Sequence, residues 1–140
     1  MSSVFGVDIT TDDILENLTF FDSWEERYKY IIDLGKDLPE IDDNLKVDEN
    51  IVRGCQSQVW LVPTKTDDRF FFQVDSDAHI VRGLLAIILT AFNGKTAQAI
   101  LEFDVDAYFE SIDLIRHLSP TRGNGLRAMV SRIKEAAAQA

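Results

Sequence analysis

Apolar side chains recur at helical spacing through Trp24, Tyr28, Ile31 and Ile32, and Ser23-Trp24-Glu25-Glu26 in front of them forms a capping box, with Asp22 as a rival cap. Gly35 and Pro39 close that run. A shorter helix carrying Ile14, Leu15 and Leu18 is predicted ahead of it, with Thr11-Asp12-Asp13 offering the cap, and residues 1–10 read as a loose lead-in. From 40 to 50 the chain is charged and shows no period, which predicts a surface loop. The pattern then becomes that of strands. Val59-Trp60-Leu61-Val62 and Phe70-Phe71-Phe72-Gln73-Val74 are runs of strand formers, and Pro63 to Asp68 between them reads as the turn of a hairpin.

Asp75-Ser76-Asp77 stops the sheet, and Asp77 is placed to cap a helix from Ala78 to Phe92. That helix is apolar on nearly every side, so it belongs at the centre of the fold. Asn93-Gly94 supplies its C-cap. Shorter helical pieces are predicted around Thr96–Leu101 and Asp106–Ile112, and a last helix opens at Ser119-Pro120 with Leu126, Met129, Val130 and Ile133 on its inner face. Gly123 and Gly125 fall early in that helix, where each costs about 1 kcal/mol relative to alanine. Close packing against another backbone would offset the cost, or the segment could serve as a flexible joint. The order of elements predicts an α+β fold, a small antiparallel sheet packed against helices, formed as a single domain over 1–140 with no linker or repeat.

Composition narrows the function. The chain has 140 residues, 24 acidic against 14 basic, and a formal net charge of -10. Such a balance argues against nucleic acid, whose phosphates need basic footprints, and leaves no requirement that a partner-facing surface be basic. No apolar run approaches the length of a membrane span and the N-terminus lacks a signal-peptide pattern, so a cytoplasmic location is expected. One cysteine cannot form an internal disulfide, and with two histidines it does not make a conventional zinc site; no metal or cofactor motif is expected.

Cys55 is the one nucleophile in a distinctive setting, between Gly54 and Gln56-Ser57-Gln58 at the edge of a strand. Gly54 lets the backbone turn sharply, and Arg53 nearby could favour the thiolate. The plainer reading, a small buried core residue, stands beside this one. A Cys-His pair would need His79 or His117, yet a charged His79 in the first turn of the central helix opposes the helix dipole, and His117 reads as a hydrogen-bonding residue ahead of the last helix. Asp75 and Asp77, at the strand–helix junction, could face the thiol loop.

Four blocks in order carry a resemblance. Val52-Arg53-Gly54-Cys55-Gln56-Ser57-Gln58-Val59-Trp60 resembles the active segment of the SufE family of sulfur-acceptor proteins. Trp24 to Tyr28 with Ile31 to Gly35 and Leu38-Pro39, Asp75 to Ala78 with Ile80 to Leu84, and His117 to Arg122 with Gly125, Leu126 and Met129 are similar to its other signatures. The resemblance implies a fold shared with iron–sulfur scaffold proteins of the IscU type, and Cys55 as the acceptor of persulfide sulfur from a cysteine desulfurase. That desulfurase, rather than this chain, would carry pyridoxal phosphate. The sulfur would pass on toward iron–sulfur cluster assembly, through a cluster scaffold or other acceptor. A scaffold itself needs several thiolates, so a single cysteine selects the carrier role. Arg53, Gly54, Gln56, Asp75, Asp77 and Arg122 are the expected supporting residues. Phe5-Gly6, Ile9-Thr10 and Leu84 to Thr96 resemble the CsdE branch, while Gln56-Ser57-Gln58 and Ser119-Pro120 resemble SufE, so a SufS-type or a CsdA-type partner is open. The implied role is that of a carrier and desulfurase activator rather than a stand-alone enzyme. The rivals are a thiol-dependent enzyme using Cys55 and an adaptor with an inert cysteine.

Overall fold

The computed structural model describes residues 5–55 and 57–139. Among the described residues six α-helices accompany a three-stranded antiparallel sheet: α1 (Thr11–Phe20), α2 (Trp24–Lys36), β1 (Val59–Thr66), β2 (Arg69–Ser76), α3 (His79–Phe92), β3 (Lys95–Thr96), α4 (Ala97–Glu102), α5 (Val105–Ser111) and α6 (Pro120–Ala138). The strand order is β1-β2-β3. The α+β class read from the pattern is therefore the one observed. As its apolar circumference demands, α3 lies in the middle, packed against α2, the sheet and α6. Leu84, Leu85, Ile87, Ile88 and Phe92 are fully buried, each burial stabilising the fold by roughly 1.5–3 kcal/mol.

The helix starts follow local chemistry. Ser23 caps α2 by accepting the Glu26 N–H, and Ser119 caps α6 with Pro120 at its first position. For α1 the cap is Thr10, one residue before the predicted group, in a reciprocal box with Asp13. α2 runs one residue past Gly35, which is buried where α2 meets α3.

Three expectations are corrected. The hairpin turn is only Asp67-Asp68, and Pro63 sits inside β1 opposite Phe72. The Phe72 N–H points away from β1 to the Asn93 Oδ1, 2.8 Å away. Pro63 and Phe72 therefore form a pair without mutual hydrogen bonds, and the proline removes no ladder bond. The lead-in is partly docked: Phe5 is buried, and its carbonyl accepts from the buried Asn93 amide at 2.9 Å. Residues 1–4 lie outside the described part.

The 40–50 segment is pinned rather than merely solvated. It forms two 3-10 turns, Asp43–Leu45 and Asp48–Asn50, and Lys46 reaches back to the Asp75 Oδ2 at 3.1 Å. Asp75 is buried, but its other oxygen accepts from Arg82 and from the Ser76 N–H. Arg82 also donates to the Gly35 carbonyl at 3.3 Å. One carboxylate thus joins β2, α3, the end of α2 and the acidic segment, and its charge is balanced by two cations.

Candidate functional site

The site is the loop that carries Cys55, whose stems are paired. The Val52 N–H donates to the Val59 carbonyl at 2.8 Å, and Ile51 bridges Trp60. A turn at Arg53-Gly54, with Gly54 at φ +95°, brings Cys55 against α6. Glycine meets that φ without the strain a side chain would add. The far end of the loop is fastened at Gln58. Its carbonyl accepts from the Ser76 hydroxyl at 2.7 Å, and its N–H donates to the Asp77 Oδ1 at 3.1 Å. This contact replaces the capping role expected of Asp77: Ala78 takes the N-cap position of α3 without a side-chain cap.

Cys55 is half-buried, and its thiol donates to the Gly125 carbonyl, with Sγ 3.4 Å from the oxygen. A cavity of about 20 Å³ lies beside the sulfur, lined by Ser57, Val81, Thr121, Arg122, Gly125 and Met129. That volume admits about one water-sized group. A Cβ built on Gly125 would stand 3.4 Å from Sγ. A methyl group would touch the sulfur there, and a larger side chain would take the cavity. Of the two roles read for Gly123 and Gly125, close packing describes Gly125. Its packing partner is the thiol loop.

Burial pushes the Cys55 thiol above its usual range. The expected influence of Arg53 is not the dominant one. The Gly54 turn separates the two side chains, so Arg53 is exposed and lines a neighbouring groove with Ala128 and Arg132. Alkylation of the native protein by iodoacetamide is accordingly expected to be slow at neutral pH. Its rate should rise with pH later than that of the same protein unfolded in urea, since a raised pKa lowers the thiolate fraction at any given pH. A native profile that rises at or below the pH of the unfolded one would count against a sheltered thiol.

Of the residues singled out in the sequence, Arg122 shares the cavity with Cys55, and Gly54 makes the turn. Asp77 braces the loop from outside the cavity, and Asp75 is committed to Arg82 and Lys46. Gln56 lies outside the described residues. Neither histidine joins the cysteine. His79 is exposed, and His117 stacks on Trp24 with ring centroids 3.9 Å apart and meets Asp113 at 3.2 Å. Val81 and Thr121 escape sequence reading. Val81 reads as one more apolar position of a buried helix, and Thr121, although it stands beside the expected Arg122, has no feature of its own that marks it as a cavity wall.

A small antiparallel sheet on a central apolar helix, presenting a half-buried thiol on a braced loop, defines an α+β protein built around one cysteine. The same fold is seen in the solution structure of a hypothetical protein from Thermus thermophilus, with a TM-score of 0.75, 16% identity, and 92% of this chain and 93% of that chain covered. The family model described as the SufE Fe-S metabolism associated domain matches residues 12–137. An uncharacterized SufE-like protein of Rhizobium meliloti (strain 1021) is 50% identical over 130 residues, 90% of this chain and 93% of the relative. Another from Rhizobium etli is 48% identical over 130 residues, 90% of this chain and 88% of the relative. The chain belongs to the SufE family.

Proposed function

We propose that this protein accepts persulfide sulfur on Cys55 from a cysteine desulfurase of the SufS or CsdA type. It thereby stimulates the desulfurase and passes the sulfur toward iron–sulfur cluster assembly. The observation that carries the reading is the Cys55 sulfur on a braced loop, opening into a cavity of about 20 Å³ in a chain of the SufE family. The Cys55 thiolate attacks the outer sulfur of the donor persulfide. A new Cys55 S–S bond forms, the donor's S–S bond breaks, and the electron pair leaves on the donor thiolate. One sulfur atom moves with no net oxidation or reduction.

The geometry suits holding more than it suits making the attack. In the resting state burial keeps the thiol protonated, and Val81 and Met129 offer the outer sulfur of a persulfide an apolar wall. Reaction therefore requires the loop to present Sγ to the donor when the two proteins meet, with loss of the Gly125 hydrogen bond. The role is that of a carrier and activator of the desulfurase rather than of a stand-alone enzyme.

The test is intact mass spectrometry after incubation with L-cysteine and each type of desulfurase. A one-sulfur increment, mapped to Cys55 and dependent on one desulfurase, is the expected result. Absence of any increment with either, alongside an active desulfurase, would overturn the reading.

A further inference from the structure

The thiol loop lies at an unusual place in the charge distribution. The chain carries a net charge of -10, yet from Leu114 onward it has five basic side chains against one acidic. Arg122 and Arg132 of that segment, together with Arg53 of the loop, stand on the two sides of Gly54-Cys55. Arg122 lines the thiol cavity, whereas Arg53 and Arg132 line the next groove over, closed by Ala128. The two recesses share the wall made by the loop. The Cβ position of Gly54 is 3.3 Å from the Ala128 Cβ, and that of Gly125 is 3.4 Å from the Cys55 Sγ.

Like Arg27, Arg69, Lys95 and Lys134, which hydrogen-bond only backbone carbonyls, these cations have no carboxylate within ion-pair distance among the described residues. Lys36, Lys46, Arg82 and Arg116 each have a carboxylate partner. Arg132 donates to the carbonyls of Ile51 and Glu49, at 3.3 and 2.9 Å, and has no carboxylate within ion-pair distance among the described residues. The guanidinium groups of Arg53 and Arg122 have no hydrogen-bond or ion-pair partner among the described residues. Acidic residues lie nearby too: Glu135 in the groove that Arg53 and Arg132 line, Glu49, whose backbone carbonyl Arg132 holds, and Asp77, bonded to the Gln58 N–H.

We infer that Arg53, Arg122 and Arg132 form a docking rim for an acidic protein surface surrounding the persulfide-bearing cysteine of the sulfur donor. This inference rests on the sulfur-accepting role of Cys55. Transfer needs the donor's outer sulfur in bonding contact with Sγ, so the donor surface must cover this loop and its flanks. A protein of net charge -10 repels an acidic partner at long range, and a local positive rim makes one approach favourable and orients it. Such complementarity acts mainly on the association rate and is weakened by salt.

The test compares Arg53→Glu, Arg53→Lys and Lys65→Glu with the unaltered protein. Arg53 is exposed, so its replacement spares the core. Lys65, near the hairpin tip, lies six residues along β1 from Val59, roughly 20 Å at strand rise. The readout is the second-order rate of one-sulfur gain on Cys55. The donors are the persulfidated desulfurase that loads it and, separately, inorganic polysulfide. At low salt Arg53→Glu should slow loading from the desulfurase about tenfold, with the gap closing as salt is raised. Arg53→Lys should stay within about twofold, because the charge is kept. Lys65→Glu and every polysulfide reaction should be unchanged. Wild-type rates for Arg53→Glu at low salt, or an equal loss in Lys65→Glu, would overturn the rim. An equal loss with polysulfide would also overturn it, showing that the arginine acts on the sulfur anion itself. No sulfur gain by the unaltered protein from either donor would instead overturn the role of Cys55, and the rim with it.

Discussion

Cys55→Ser is expected to leave the fold and melting temperature essentially unchanged while abolishing both the one-sulfur mass increment and stimulation of the desulfurase. The substitution removes little volume from a half-buried site, and a serine hydroxyl can still donate to the Gly125 carbonyl, which now accepts from the thiol. What is lost is chemical. Attack on a persulfide sulfur requires a thiolate, whose negative charge is borne by a large, polarisable sulfur atom. A serine hydroxyl stays protonated at neutral pH and would have to form an O–S bond. The measurement pairs intact mass and sulfide release with a thermal melt of the same sample. Full stimulation by the serine variant would show that docking alone activates the desulfurase, and the carrier role would fall.

Gly83→Ala should destabilise the protein by about 3 kcal/mol and lower its melting temperature by roughly 10 °C. Helix propensity taken alone predicts the opposite, a gain of about 1 kcal/mol for alanine in the interior of α3. The contact between α2 and α3 reverses the sign. A Cβ at Gly83 would overlap the Ile31 carbonyl oxygen of α2, and one at Gly35 would lie 2.6 Å from the Gly83 nitrogen. Backbone meets backbone at this crossing, so no rotamer change makes room. The helices must move apart, and they would carry the Arg82 bond to the Gly35 carbonyl with them. Thermal unfolding followed by circular dichroism decides the matter. A melting temperature equal to or above that of the unaltered protein would mean that the crossing is looser than described.

These two positions mark where sequence reading succeeds and where it stops. Cys55 stands out from its neighbours alone, because Gly54 and the polar run after it are local features. The starts of α2 and α6 are equally legible, since a capping serine acts within three residues of itself. Gly83 carries no such mark. Its importance comes from Ile31, far back along the chain in α2, and in sequence it is only a poor residue for a helix. Asp77 misleads for a related reason: its position ahead of a helix suits a cap, but the Gln58 N–H, on the far side of the hairpin, takes the same carboxylate. Pro63 reads as a breaker because the direction in which its nitrogen faces depends on the register with β2. Adjacency along the chain puts Arg53 beside the thiol, and one glycine turn separates the two side chains.

Pro63 has a consequence beyond the hairpin. The last four residues of β1, Pro63 to Thr66, are all exposed and, among the described residues, belong to a strand with only one neighbour along that stretch. An open edge of this kind is a template on which identical chains can stack. Here it lacks one outward donor at Pro63 and carries the Lys65 charge two residues on, which discourages strand addition. Pro63→Val would restore a donor to that edge. The measurable result would be a tendency to self-associate at high concentration.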